Sequence, residues 1–248
     1  MGLRNLYKVF NETRRASRER ATLAVVGDSP RTGQVADAFG AQRNMRKAEV
    51  ILTVSDAGVS LSGKGVEDPG EIPLPEVGAP LDGLAPRVVK AIDEEYLVPL
   101  AKAYPALRRA ACEEIIRKNA RQNAVVGALP IPGADMPVMT ANQARMVLNL
   151  AAAYGEELSL QRARELLGVL AAGFGLRALT RQVVKVIPVG GWAAAAAIGY
   201  AGTVAMGRST MLYFERGGQK VGQQETEEIQ RRATEEAKAF VARFARRK

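Results

Sequence analysis

The first segment that could do chemistry is the turn 27–33 (GDSPRTG), which follows the short apolar and β-branched run 22–26. A phosphate-binding loop needs glycines so that backbone N–H groups can surround the phosphates, a lysine for countercharge, and a hydroxyl for magnesium. Here Gln34 stands where the lysine is wanted. We therefore interpret the segment as a strand-to-helix turn and keep nucleotide binding as the alternative. In that alternative the contacting residues are Gly27, Asp28, Thr32 and Gly33.

The composition excludes several kinds of catalytic and metal site. The 248-residue chain contains no histidine, which removes Ser-His-Asp and Cys-His nucleophile systems, histidine general bases and histidine metal ligands. Cys112 is the only cysteine, which excludes an internal disulfide and CxxC sites and fits a reducing compartment. We expect no enzymatic activity, no cofactor and no metal site.

A second candidate is the proline-rich turn 130–137, in which Asp135 is the only acidic residue between Glu114 and Glu156. Its carboxylate could contact an ion or a partner. It could equally accept backbone N–H groups within the turn or pair with a nearby basic residue such as Arg145. We favour the second, structural role for the residues of this turn, which are Pro130, Pro132, Gly133, Asp135 and Pro137.

The formal net charge of +9 is distributed unevenly along the chain. Residues 1–20 carry six basic and two acidic side chains, and residues 158–214 carry six basic side chains and one acidic one. Residues 48–98 are acidic, with ten carboxylates against three basic side chains. This layout indicates an anionic partner for the basic segments. We favour a phospholipid surface over nucleic acid, since the sequence has no recognisable nucleic-acid-binding motif or aromatic stacking platform.

Two basic segments could contact such a surface. Residues 1–20 have the apolar spacing of an amphipathic helix with a basic end, and they lack the apolar run of a secretory signal. We favour packing of this apolar stripe on the protein's own body and keep a position in a membrane interface as the alternative. The second segment contains basic residues at every fourth position, which places them on one face of a helix. These residues are Arg177, Arg181 and Lys185.

Small residues repeat in the uncharged stretch between Lys185 and Arg208. The stretch has 22 residues, which is long enough to span a bilayer, but seven are alanine and five are glycine, so its drive to insert is weak. A small residue at every fourth position creates a smooth face for close helix packing. We predict a buried helix in a bundle and keep membrane insertion as the alternative. The packing face consists of Gly191, Ala195, Gly199, Thr203 and Gly207.

The elements that position these residues change along the chain. Apolar runs predict strands at 22–26 and 50–54 and an edge strand at 71–74, with helices at 32–47 and 81–96 between and after them. From residue 97 onward the signals are helical. The predicted helices cover residues 105–122, 140–155 with a capping box at Thr140, 159–172, 176–186, 191–213 and 225–246.

These elements predict an α+β fold that is mainly α, in which a small parallel α/β N-terminal unit precedes an all-helical bundle. The predicted divisions are a basic amphipathic helix (1–20), a small α/β unit (21–97), a helical domain (98–216) and a C-terminal amphipathic helix (217–248).

The region from about residue 120 to 213 resembles a family of unknown function, family 697, also called YcjF-like. The resemblance is carried by the turn 130–137, the helix 140–155, and the segments 173–177, 181–185, 187–192 and 200–202. It implies an all-helical region that is found in bacteria beside Era-like GTPases and often near membranes. In such relatives a GTPase domain can precede the helical region. Segments 23–33 and 48–57 look like strands of a degenerate GTPase domain, although the chain contains no Asn-Lys-x-Asp motif.

Together these features predict a non-enzymatic, GTPase-associated helical protein that acts as an adaptor at the cytoplasmic membrane face. The alternative is a nucleotide-binding regulatory switch that does not hydrolyse its ligand. The expected partners are an anionic membrane surface and a GTPase or other protein, with a homo-oligomer as a further candidate and nucleic acid disfavoured. The expected location is cytoplasmic, at the periphery of the inner membrane or partly inserted in it.

Overall fold

The fold is α+β and mainly helical. A computed structural model describes the residues 11, 19–67, 70–76, 81–129, 135–156 and 191–245. These residues form two compact units, and each is described by itself. The first unit contains residues 19–115 and 152–156, and the second contains residues 116–151 and 191–245, apart from the gaps just given.

A four-stranded sheet forms the centre of the first unit. Its elements are β1 (Leu23–Val26), helix α1 (Thr32–Phe39), β2 (Val50–Val54), β3 (Gly58–Ser62) and β4 (Glu71–Pro73). The strands lie in the order β1-β2-β3-β4. Only β1 and β2 are parallel, while β3 and β4 are antiparallel to their neighbours. The predicted parallel sheet is therefore wrong beyond the β1-α1-β2 unit, and the sheet is mixed.

Strand β3 was not expected, because Asp56 and Gly58 look like a turn that ends a strand. The turn instead reverses the chain into a hairpin, in which the N–H of Ser55 donates to the Gly58 carbonyl at 2.8 Å. The following residues alternate, with Val59 and Leu61 buried and Ser60 exposed. Gly58 also lies against β4, where an added Cβ would be 2.5 Å from the Ile72 carbonyl oxygen.

Helix α1 ends at Phe39, although the periodicity predicted a helix to residue 47. Gly40 adopts a left-handed conformation (φ 63°, ψ 31°), and its N–H donates to carbonyls of the last turn. The chain then returns along β1, where Gln42 pairs with Ala24 in a parallel bridge. The glycine therefore ends the helix instead of only weakening it.

The predicted helix at 81–96 is also wrong as a single element. It consists of a 3₁₀ turn (Leu81–Gly83) and helix α2 (Leu84–Lys90), and helix α3 (Glu94–Ala103) begins after a break. At the break, the Asp93 side chain caps α3 by accepting the N–H of Glu95 at 3.2 Å. Buried Ile92 lies in an isolated bridge with Val66.

Four long helices follow: α4 (Pro105–Ala128), α5 (Asp135–Ala153), α6 (Trp192–Glu215) and α7 (Gln223–Ala245). Pro105 is the first residue of α4, as predicted, but the helix continues six residues beyond the expected end at 122. Thr140 lies inside α5 instead of capping it, because this helix begins at Asp135. The bounds of α6 and α7 differ from the prediction by at most two residues. The helices expected at 159–172 and 176–186, and most of 1–20, lie outside the described residues.

The second unit is built around α6. This helix is buried along most of its length, with small side chains on several faces. It packs against α7, where the rings of Tyr200 and Phe240 stack with their centroids 4.8 Å apart. Arg208 makes a two-pronged ion pair with Glu236 of α7, with its shorter contact at 2.6 Å.

Candidate functional site

The turn 27–33 has the expected position between β1 and α1, but its first glycine has a structural role. Gly27 has a φ of 135°, and an added Cβ would lie 2.1 Å from the carbonyl oxygen of Val54 in β2. Buried Thr32 uses its hydroxyl to donate to the Gly27 carbonyl at 3.2 Å. The close approach of the two strands therefore requires this glycine whether or not a ligand binds.

The other residues of the turn are less constrained. Asp28 is exposed, and the Ser29 hydroxyl donates to the Asp56 carboxylate at 2.9 Å. Gly33 has space beside it, since an added Cβ would come no closer than 3.7 Å to the Arg43 guanidinium. Gly27 and Asp28 lie in the turn itself, whereas Thr32 and Gly33 are the first two residues of α1, and none of the four is a lysine.

Arg31 adds a cation to this turn that the sequence pattern did not indicate. Arg31 lies directly before α1, and its Nη1 donates to the Pro75 carbonyl at 2.6 Å. Its Nε and Nη2 atoms are buried, and they have no hydrogen-bond partner among the residues that the structure describes. Buried N–H groups without partners are costly. Its position immediately before the helix was visible in the sequence, but its burial was not.

Acidic residues do not gather into a metal site in the described part of the chain. No group of three or more Cys, Asp or Glu side chains there could hold a metal ion. Cys112 has no exposed surface in α4. These side chains therefore offer no candidate metal centre within the described ranges.

The small residues of α6 pack closely against α4. An added Cβ at Gly199 would lie 2.6 Å from the Asn123 carbonyl oxygen, and one at Gly207 would lie 2.5 Å from Ile116 Cγ1. On the α4 side, a Cβ at Gly127 would lie 2.8 Å from the Ala195 carbonyl oxygen. Three of the five predicted face positions therefore lie at this contact. A fourth, Thr203, contacts the same helix through its hydroxyl.

Gly191 is the one member of the predicted packing face that lies apart from it. It is exposed, has a φ of 72° and immediately precedes α6. Its backbone conformation therefore explains the glycine better than helix packing does. The repeat of small residues at every fourth position therefore begins one residue before α6, and only its later members lie in the helix.

A buried polar cluster connects three helices at the same contact. The Asn123 side-chain amide donates to Thr203 Oγ1 at 2.8 Å, and the Thr203 hydroxyl donates to the Gly199 carbonyl at 2.8 Å. From α5, the Asn142 amide donates to Asn123 Oδ1 at 3.1 Å. Asn123 has no exposed surface. Sequence analysis overlooked it, because nothing local distinguishes an asparagine buried with partners from one on a helix surface.

One predicted site can be placed only in part, and another lies wholly outside the described residues. Of the turn 130–137, Asp135 and Pro137 lie in the first turn of α5, while Pro130, Pro132 and Gly133 lie outside the described residues. The basic row Arg177, Arg181 and Lys185 also lies outside them. The proposed roles of these residues therefore stay predictions.

Several ionisable groups in the second unit are paired or buried. The Arg216 guanidinium hydrogen-bonds the Glu225 carboxylate and lowers the pKa of that carboxyl group. Burial, followed by the nearby Glu236 carboxylate, raises the pKa of Tyr200. Each effect links α6 or the segment after it to α7. These two pKa shifts therefore indicate contacts that hold the helices together rather than groups poised for proton transfer.

The length and hydropathy of the helices bear on whether the uncharged stretch before Arg208 crosses a membrane. No helix within the described ranges combines the length with the apolar character needed to cross a membrane. This includes α6, which contains most of the uncharged stretch. Membrane insertion as a spanning helix therefore finds no support in these residues.

Comparison with known proteins identifies the helical part of the chain. A family model described as a domain of unknown function (DUF697) matches residues 94–240, which is more than half of the chain. The match begins at the start of α3 and reaches into α7, so it exceeds the predicted range at both ends. No curated protein and no solved structure matches the chain. The mixed sheet precedes the matched range, so its descent from a GTPase domain stays a hypothesis.

Proposed function

Because the chain belongs to the DUF697 domain family, we propose that it is a non-enzymatic adaptor that associates with a GTPase at the cytoplasmic membrane face. In this proposal the second, helical unit of the chain contacts the membrane. The family description itself states no function, so the membrane part of the proposal depends on the chain's own charge and side chains, and the GTPase part depends on the resemblance described above.

The observation that carries the proposal is the separation of charge. Residues 158–214 carry six basic side chains and one acidic one, while residues 48–98 carry ten acidic and three basic ones. An anionic surface attracts the first segment and repels the second, which would orient the helical region toward the membrane. Each basic residue near such a surface contributes about 1 kcal/mol.

The chemistry of the candidate sites supports a binding role. Histidine is absent from the sequence, and the turn 27–33 has no lysine for a nucleotide phosphate. The hydroxyl of Thr32 is hydrogen-bonded within the turn. These features favour an adaptor over an enzyme.

A vesicle-binding experiment tests the membrane part of the proposal. We expect the full-length protein to sediment with phosphatidylglycerol-containing vesicles at low ionic strength, to dissociate at high ionic strength, and to ignore pure phosphatidylcholine vesicles. The triple variant Arg177→Gln, Arg181→Gln, Lys185→Gln should bind more weakly. If the protein stays in solution with anionic vesicles at low ionic strength, the membrane role is wrong.

The GTPase part needs a separate measurement. We expect affinity purification of the tagged protein from its native cell extract, followed by mass spectrometry, to enrich a GTPase over an unrelated tagged basic protein. An enriched set without any GTPase would contradict this part of the proposal and leave the vesicle result unaffected.

One feature of the turn 27–33 supports the alternative function, a nucleotide-binding switch. The turn 27–33 joins a buried strand to the N-terminus of α1, and Arg31 places a cation beside it. A thermal-shift measurement with GTP, GDP and ATP in the presence of magnesium tests it. A saturable rise in Tm would support the switch, while unchanged melting with all three nucleotides would exclude it.

A further inference from the structure

Exposed apolar side chains are concentrated in one place in the second unit. Among the described residues, five large apolar side chains are strongly exposed, and four of them belong to this unit. These four are between 42% and 50% exposed. We call them the apolar rim; its members are Val125, Leu129, Val138 and Trp192.

The members of the rim lie at the same end of three packed helices. Asn142 of α5 hydrogen-bonds Asn123 of α4, so the start of α5 lies beside the end of α4. Gly127 of α4 lies against Ala195 of α6, which places the start of α6 at the same level. Each rim residue is within about two turns of this end. The rim therefore surrounds one end of the helical group instead of being scattered over it.

Basic side chains follow the rim along two of these helices. Exposed Arg121 precedes exposed Val125 by four residues, which puts both on one face of α4, and Leu129 is the residue directly after this helix. On α5, exposed Arg145 follows Val138 by seven residues and so shares its face. On both helices the exposed apolar residue therefore lies near the rim end, and the exposed arginine lies further along the helix from that end.

This order of side chains matches the layers of a bilayer interface. Apolar groups can enter the boundary of the acyl chains while arginines remain at the phosphate groups. Tryptophan is itself enriched at membrane–water interfaces. From Arg117 to Arg145 the sequence has four basic residues and only Asp135 as an acid, so the part of α4 and α5 that carries the rim is attracted to anionic lipid.

We infer that the apolar rim is the edge by which the helical unit enters the interface of an anionic bilayer. The inference rests on the proposed membrane role and adds which residues enter. Side-chain insertion at an interface requires no spanning helix.

The chain provides its own probe, because Trp192 is its only tryptophan. We expect phosphatidylglycerol-containing vesicles to shift its emission to the blue, and brominated phosphatidylglycerol to quench it. A double variant, Leu129→Gln with Val138→Thr, should weaken vesicle binding about tenfold, since it removes apolar surface from the rim. Its Tm should stay close to that of the unchanged protein, because both positions are exposed.

Met45 offers a matched control, because it is the fifth exposed apolar side chain, 56% exposed, and lies in the other unit. Met45→Gln removes a similar apolar surface and should leave vesicle binding unchanged. If the protein sediments with vesicles but Trp192 emission does not shift and the rim variant sediments as fully as the unchanged protein, the rim is wrong and the membrane role stands. If nothing sediments, both fail. A concentration-dependent dimer that the rim variant abolishes would assign the rim to a second copy of the chain and overturn the inference.

Discussion

The side-chain amide of Asn123 donates a 2.8 Å hydrogen bond to Thr203 Oγ1, and neither residue has any exposed surface. The bond joins α4 to α6 within one turn of Gly199, where an added Cβ would lie 2.6 Å from the α4 backbone at the Asn123 carbonyl oxygen. Small side chains alone would let α4 and α6 pack in several alignments along their length. The buried Asn123 amide finds its acceptor, Thr203, in only one of these alignments and so favours that one. We expect this pair to specify how the two helices align.

Replacing Thr203 with valine tests that role. The change keeps the shape but removes the acceptor, so a buried N–H group of Asn123 loses its partner. We expect the free energy of unfolding to fall by about 1–3 kcal/mol. Urea denaturation followed by Trp192 fluorescence measures it. Thr203→Ser retains the hydroxyl and should cost less, and equal stability of the valine variant and the unchanged protein would contradict the prediction.

Gly207 and Ile116 should compensate for each other. Gly207→Ala places a methyl group against the Ile116 side chain, and we expect overpacking to cost about 1–3 kcal/mol. Ile116→Ala alone leaves a cavity and should cost about 2–5 kcal/mol. The double variant should be at least about 1 kcal/mol more stable than the sum of the two changes predicts. Additive effects in urea denaturation would mean that the two side chains do not share this space.

Gly199→Ala provides the comparison for that pair. Its new methyl group meets a backbone carbonyl oxygen of Asn123, which no side-chain change can remove. We therefore expect Ile116→Ala to leave the cost of Gly199→Ala unchanged.

The two glycines of the turn 27–33 should respond differently to alanine. Gly27→Ala combines an unfavourable φ with a clash against the Val54 carbonyl, and we expect it to cost about 2–4 kcal/mol. Gly33→Ala has space and should change stability by less than about 1 kcal/mol. Hydrogen exchange of the β1 amides measures both. Similar protection in the two variants would show that the strand approach does not require Gly27.

Acid should weaken the link between Arg216 and Glu225. The pKa of Glu225 is lowered from its usual 4.5 by the Arg216 hydrogen bonds. A group with a lowered folded-state pKa stabilises the protein above its unfolded-state pKa, and that contribution is lost as the pH falls through the folded-state value. Between about pH 6 and about pH 3, the unchanged protein should lose more stability than Glu225→Gln. Both side chains are exposed, so high salt should reduce the difference.

A matched control for the acid experiment is Glu227→Gln, which removes a carboxylate from the same turn of α7 and leaves the Arg216 pair intact. Its denaturation profile should follow that of the unchanged protein across the same pH range. If Glu225→Gln shows the full acid sensitivity instead, the ion pair makes no measurable contribution.

Some features of this protein follow from the sequence alone, because their signals are local. The apolar runs of β1 and β2 and the long helices α6 and α7 lie where they were predicted, to within about two residues. The small-residue repeat of α6 predicted its close packing, since Gly199 and Gly207 leave room for a neighbouring backbone. The absence of histidine can also be read directly from the chain, and the resemblance seen over residues 120–213 is confirmed by the DUF697 match over residues 94–240.

Other features were decided only by the tertiary structure. A glycine such as Gly40 can lie within a helix or end it, and here the pairing of Gln42 with β1 accompanies the left-handed end. Strand β3 needed neighbours on both sides before its short alternation could be recognised. Asn123 and the apolar rim have no local signal, because burial and exposure depend on which distant residues surround a side chain. Periodicity reports the conformation that a segment favours, whereas contacts between segments far apart in the chain select where it ends and which faces remain open.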